Sequence, residues 1–210
     1  MFENILGWTV EWQNWGANAL TVGSLGTIAF TFVEGWGLWK QKQAIWNEKS
    51  GESVSVSLFS YLAFFFAAYL FYGVHIACVT VLINSLLAII YIPVLVGLWK
   101  FKCFTRNDKV QFVLFAGMVP AMAFLPWKDE LFFIISLGTI YAFGTQPWEL
   151  WKTEKTGVVE IRLVGSYFFA TLFWVVYAFA IEEWVLEILT PIVLFLLGLT
   201  AVLWFKYRGN

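Results

Sequence analysis

The chain has 210 residues, of which 60% are hydrophobic and only 13% charged, with a net charge of −1. A soluble domain is near half apolar and about a quarter charged, so one small core cannot absorb this excess and the composition points to a multi-pass membrane protein. The near-zero net charge offers nothing to nucleic acid. One histidine and two cysteines supply neither a metal cluster nor a nucleophile–base pair, so no cofactor, no metal and no enzymatic activity are expected.

A membrane-crossing helix needs about 20 mostly apolar residues, and charge-free intervals supply the candidates in chain order. Residues 1–15 carry Glu3 and Glu11, no base, and no short apolar core before a small-residue site, so they read as an extracytoplasmic segment rather than a cleavable signal. Residues 12–33 are charge-free and predict a first span over about 16–39. Residues 53–99 contain only His75, too long for one span and right for two, with the break at Tyr72-Gly73-Val74-His75. Further spans follow at 110–127, 131–148, 163–181 and 188–205. The fold class is therefore all-α, a polytopic protein with seven transmembrane helices.

A stretch occurs twice. At a spacing of 106, Glu48-Lys49-Ser50-Gly51 meets Glu154-Lys155-Thr156-Gly157, and Ser60-Tyr61 meets Ser166-Tyr167; the spacing then becomes 105, where Tyr69 meets Trp174 and Tyr72 meets Tyr177. Each copy is a charged connector followed by a long apolar run, so the repeat unit is a group of membrane helices. Three helices reverse the direction of the chain and a single linker helix restores it, which lets the two copies run parallel. The expected organisation is an N-terminal segment over 1–15, a first triple-helix bundle over 16–105, a linker helix over 106–128 and a second bundle over 129–208. Parallel repeats of this kind mark transporters with a site between the halves.

Orientation follows from Lys and Arg. Twelve of the thirteen fall in the connectors after spans one, three and five and at the C-terminus, and only Lys128 falls on the other face. By the positive-inside rule the N-terminus is outside and the C-terminus cytoplasmic. Most tryptophans sit near span ends, as interfacial anchors do. Cys78 and Cys103 fall at opposite faces, so a disulfide between them is not expected.

This pattern of 3+1+3 helices with a basic connector, Lys-Ser/Thr and a long helix resembles the PQ-loop superfamily, closest to the SWEET and SemiSWEET sugar transporters. The resemblance covers about residues 16–208 and is sharpest over 46–73 and 152–179. Counting nine residues back from the connector lysine, the Pro-Gln positions hold Lys40-Gln41 and Gln146-Pro147. Gln41, Gln146 and Pro147 are thus the gating candidates. Pro147 removes a donor and clashes with the carbonyl of Phe143, predicting a kink near the cytoplasmic end of the fifth span.

The resemblance also implies a central pocket built from an Asn on the third helix of each bundle and an aromatic on the second. Asn84 matches the first Asn, and its counterpart is Thr190 at a spacing of 106 or Leu189 at 105; Tyr69 and Trp174 hold the aromatic positions. Substrate-binding candidates are therefore Asn84, Thr190, Tyr69 and Trp174. Each also has a plainer role, as helix–helix contact or packing. Glu34 stands out as a carboxylate on the first span, roughly 9 Å along the helix from Lys40. Charges at such depth face a cavity or a partner. It is the coupling candidate, either titrating or binding a hydroxylated or cationic substrate, unless it reaches water or Lys40. At a spacing of 106 its counterpart is Ile140. His75 reads as an interface residue.

Three functions fit. The first is a carrier of a small polar solute, a sugar foremost, working by alternating access. The second is a proton-coupled carrier of an amino acid or related metabolite. The third is a non-transporting membrane receptor or assembly factor. The expected partners are a small-molecule solute (sugar or amino acid) and the lipid bilayer, with a homo-oligomer as a further option. A retinal pigment needs a mid-membrane lysine on the last helix, and Lys206 lies past its end.

Overall fold

The computed structural model of the chain describes residues 9–180 and 184–209. Among them there are helices and no strands. In order these are α1 (Val10–Gln13), α2 (Ala19–Glu48), α3 (Val56–His75), α4 (Val79–Ser85), α5 (Leu87–Phe101), α6 (Arg106–Ala116), α7 (Met118–Phe124), α8 (Lys128–Thr153), α9 (Ile161–Ala180) and α10 (Trp184–Tyr207). Local chemistry sets several starts. Asn18 Oδ1 accepts from the Thr21 amide at 2.9 Å, and Ser55 Oγ from the Leu58 amide at 3.1 Å. Thr105 and Asp108 form a reciprocal capping box at α6, which satisfies donors that a first turn leaves open.

Four helical stretches are long and apolar enough to cross a membrane: α3, α4–α5 taken together, α9, and Leu186–Tyr207 of α10. The outward surface is apolar as well, with Phe32, Ile89, Val113, Phe124, Phe195 and Val202 all exposed. The protein is a helical membrane protein. Two further helices, α2 and α8, have 30 and 26 residues, or about 45 and 39 Å at 1.5 Å per residue. The first predicted span was to end near 39, but α2 continues to Glu48 through Lys40 and Lys42, so its basic end projects beyond the apolar stretch.

Two predicted single spans are interrupted. The third breaks at Leu86, where the Ser85 hydroxyl takes the Leu82 carbonyl at 2.7 Å and the Leu86 amide turns back to Ile83. Such side-chain back-bonding competes with the helix ladder. The linker breaks at Gly117, three residues before Pro120, whose ring clashes with the carbonyl of Ala116 and offers it no donor. By contrast α8 is one helix through Pro147.

Element bounds at the connectors repeat at an offset of 105. α2 and α8 end at Glu48 and Thr153, and α3 and α9 begin at Val56 and Ile161. The left-handed C-caps Lys49 and Glu154 keep the same offset. Thus 105, not 106, is the structural register through the connectors too. Packing repeats with it. α5 packs on both α2 and α3, and α10 on both α8 and α9; across the repeat α2 lies against α9, and α8 against α3.

The α2–α9 contact is close because α2 presents glycine there. A Cβ on Gly37 would lie 2.9 Å from Leu163 Cα and 2.8 Å from Ser166 Oγ, and one on Gly23 would lie 2.9 Å from Tyr177 Cα. Small residues let helix backbones approach where lipid removes any hydrophobic drive. Gly144, on α8, has nothing within 4 Å of its added Cβ. Gly37→Ala should therefore cost about 1–3 kcal/mol by overpacking, read as a lower Tm in detergent. Gly144→Ala should be neutral or gain up to about 1 kcal/mol from helix propensity. Equal effects of the two methyls would refute the close contact.

Candidate functional site

Three cavities follow one another between the two copies of the repeat. The central one, of about 100 Å³, is lined among others by Glu34, Asn84, Tyr69, Trp174, Leu189 and Thr190. All four substrate-binding candidates and the coupling candidate therefore share one cavity. It has room for several water-sized groups. Towards the basic connectors it shares Leu62, Phe143 and Tyr167 with a second cavity of about 30 Å³. On the other side it shares Tyr69, Phe132, Trp174 and Leu186 with a third, of about 230 Å³.

Repeat symmetry accounts for much of the wall. At an offset of 105, Leu62 meets Tyr167, Phe66 meets Thr171, Tyr69 meets Trp174 and Asn84 meets Leu189, and every one of these lines the central cavity. The structural counterpart of Glu34 is Thr139, not Ile140, and Thr139 lines the cavity as well. The counterpart of Asn84 is Leu189, so Thr190 enters the wall as the neighbour of that position rather than as the second half of a polar pair.

Polar contacts here are few. Asn84 Nδ2 donates to Thr31 Oγ1 at 2.8 Å and, at 3.5 Å, to Glu34 Oε2. Glu34 is only 3% exposed, and among the described residues no ion pair reaches it. Lys40 turns instead to Gln43 Oε1 at 3.2 Å and to the Trp36 ring, which removes it as the partner of Glu34. Thr171 and Thr190 donate their hydroxyls to the carbonyls four residues back, at 2.7 and 2.8 Å. Ser136 Oγ is buried without a partner. Tyr69 and Trp174 face each other with ring centroids 6.3 Å apart, at the wall shared with the third cavity.

The basic end is closed by a reciprocal brace. Gln41 on α2 donates to the Val158 carbonyl and accepts from the Glu160 amide, both at 2.8 Å. Gln146 on α8 donates to the Ser53 carbonyl at 2.8 Å and accepts from the Ser55 amide at 3.0 Å. Each glutamine thus pairs like a strand with the connector of the other copy, and the two sets correspond at 105. Of the three gating candidates, Gln41 and Gln146 occupy equivalent positions and make equivalent contacts. Pro147 is buried beside Gln146 inside α8. Deeper in, the hydroxyls of Tyr91 and Tyr167 are hydrogen-bonded across the repeat.

The opposite end carries a contact that the sequence did not announce. Glu11 on α1 is 6% exposed. It accepts from the Thr80 amide at 2.9 Å, the Val79 amide at 3.1 Å, Cys78 Sγ at 3.0 Å and Tyr177 Oη at 3.3 Å. The Val10 amide donates to Ala77 O at 3.2 Å, and Val10 lines the third cavity. α1 is therefore docked over that cavity by one carboxylate. Burial alone would push the Glu11 carboxyl up, but the hydrogen bonds from Cys78 and Thr80 more than offset it, and its pKa is lowered from 4.5. Burial, with the Glu11 charge, pushes the Cys78 thiol up to about 12. Cys78 and Cys103 are free. His75 Nε2 lies 3.4 Å from Asp129 Oδ1 and ties the end of α3 to the start of α8.

No protein-family model, no curated protein and no solved structure matches the chain.

Two predictions follow from the closures. Replacing Gln146 by Ala leaves the Ser53 carbonyl and Ser55 amide without partners, at a cost of about 1–3 kcal/mol. Gln41→Ala should cost the same within error, because its contacts are equivalent; a difference of more than about threefold between the two losses would contradict the reciprocal brace. At the other end, in a Cys103→Ser background, Cys78 should resist maleimide at neutral pH, and Glu11→Ala should make it reactive. Because the folded pKa of Glu11 is lowered, its contribution is complete above the ordinary carboxylate value and fades only as pH falls through the lowered one. A Tm that begins to fall well above pH 5 on acidification in the unmodified protein, but not in Glu11→Ala, would refute this assignment.

Proposed function

We propose that the protein is a membrane carrier that moves a small polar solute by alternating access. In this reading seven spans form two parallel triple-helix bundles, 16–105 and 129–208, joined by the 106–128 linker, with the N-terminus outside and the C-terminus cytoplasmic. One observation carries it: a partly polar cavity between the two copies is shut at one end by the Gln41–Gln146 brace and at the other by aromatic rings and the Glu11 contact. A carrier needs a central site with two closures that open in turn. An enzyme would need convergent reactive groups, and a purely structural bundle has no use for a cavity between its two copies with a carboxyl on its wall.

The resemblance to SWEET and PQ-loop proteins suggests a sugar as the solute, with Asn84, Thr190, Tyr69 and Trp174 in contact with it. Glu34 favours the second reading, a proton-coupled carrier of an amino acid or related metabolite, because it is a buried carboxyl in that cavity with no cation beside it.

Uptake into proteoliposomes, scanned over sugars, amino acids and amines with and without a pH gradient, tests the proposal. Trp174→Ala should reduce uptake about tenfold or more, a ring contact being worth about 1–2 kcal/mol, and Asn84→Ala should reduce uptake and also lower Tm, because Thr31 Oγ1 and Glu34 lose their donor. Should a proton be coupled, Glu34→Gln abolishes the pH dependence of uptake and spares exchange. Absence of solute flux from reconstituted, folded protein across the whole panel would turn the assignment towards the receptor reading.

A further inference from the structure

The carboxyl of Glu34 is the one formally charged group on the central cavity wall among the described residues. Its single hydrogen-bond donor is Asn84 Nδ2 at the long distance of 3.5 Å. A carboxyl held away from water takes up a proton, or keeps its charge against a compensating cation or a full set of donors. Among the described residues no cation and no full set of donors reaches it. The phenols of Tyr91 and Tyr167 are hydrogen-bonded to each other.

Donor–acceptor accounting points the same way. The Asn84 amide hydrogens are directed to Thr31 and Glu34. The hydroxyl hydrogens of Thr171 and Thr190 are given to their own helices, so towards the cavity these groups offer lone pairs only. Ser136 Oγ is buried, unpartnered and on the cavity wall. The remaining lining is rich in aromatic rings, whose faces attract cations. The neutral donors on this wall are the Ser136 and Tyr69 hydroxyls and the Trp174 indole N–H, and the one group that can carry a charge is Glu34. A group that is all donor and positively charged would find what this wall offers.

We propose that the solute held in this cavity is a small organic cation with an ammonium group, its N–H donors directed to the Glu34 carboxylate and Ser136 hydroxyl and its carbon body against Tyr69 and Trp174. This rests on the carrier reading and narrows its solute away from a neutral sugar. A volume of about 100 Å³ limits the ligand in this closed form to a few heavy atoms. The charge requirement also explains why Glu34 has no carboxyl counterpart in the second copy, where Thr139 stands: one cation needs one carboxylate.

The test uses the purified full-length chain and two probes of equal size, ethanolamine hydrochloride and its neutral isostere ethylene glycol, at matched ionic strength and a pH where the amine is charged. Ethanolamine should raise Tm saturably and ethylene glycol should not. The ethanolamine affinity should fall about tenfold or more in Glu34→Gln, the loss of a charge-assisted hydrogen bond, and to a lesser extent in Ser136→Ala. Should Glu34→Gln not fold, Glu34→Asp keeps the charge and should retain weakened binding, and the comparison of the two probes on the unmodified chain carries the test alone. Equal responses to both probes, or ethanolamine binding unaffected by Glu34→Gln, overturn the proposal. Sugar uptake without ethanolamine binding overturns it too and leaves the carrier reading standing. Glu34-dependent ethanolamine binding with no flux of any solute supports the cation site and removes the carrier reading instead.

Discussion

The structure depends on a constraint that hydrocarbon imposes: a polar group taken from water must find its partner inside the protein. The reciprocal glutamines answer it. The connectors after α2 and α8 leave helical geometry and so expose amides and carbonyls. Gln41 and Gln146, each from the other copy, satisfy them two at a time. A primary amide carries one acceptor and two donors in fixed geometry, so it can substitute for a neighbouring strand. Because each glutamine serves the opposite copy, the brace also joins the two copies at one end. Everything above it, from the Tyr91–Tyr167 pair to the central cavity, is positioned by that junction.

Symmetry builds the cavity and departures from symmetry give it chemistry. Equivalent positions supply a wall of matched size, as with Tyr69 and Trp174 or Phe66 and Thr171. The charge arises where the copies differ. Glu34 has Thr139 as its equivalent, and Asn84 has Leu189. The cavity therefore has a symmetric frame and a one-sided polar face. The closures differ as well. The basic end is held by two matched braces, while the other depends on stacked aromatics, with Tyr72 and Phe132 centroids 3.9 Å apart, and on a single carboxylate from α1. The two ends are therefore held by different kinds of contact.

Much of this was legible in the chain. Apolar runs gave the helices, and the connector repeat gave the pairing of Tyr69 with Trp174 and of Tyr72 with Tyr177. The register was the weak point. Matching Glu48-Lys49 to Glu154-Lys155 favoured 106, because identical letters in a connector outweigh geometry when only letters are compared. The left-handed caps at Lys49 and Glu154 restore 105, and with it the pairing of Gln41 with Gln146 and of Glu34 with Thr139. Extending 105 through the connector would have found both. The docking of Glu11 had no such signal. An acid among tryptophans near the start of a chain reads as interfacial, and half of its partners are backbone amides, of residues 79 and 80, which no side-chain pattern encodes. The interruption at Leu86 was equally silent, since it arises from one serine hydroxyl.

Alternating access requires that the two ends move in opposition, and distances across them measure this most directly. Asn47 and Lys152 are equivalent exposed positions at the basic end, and Val74 and Phe179 are equivalent exposed positions at the other. Spin labels on cysteines at each pair, with Cys78 and Cys103 replaced, give double electron–electron resonance distances in proteoliposomes. The account predicts two populations for each pair, with solute shifting one pair to the longer distance and the other to the shorter. A single unchanging distance at both ends, or both ends lengthening together, would contradict it.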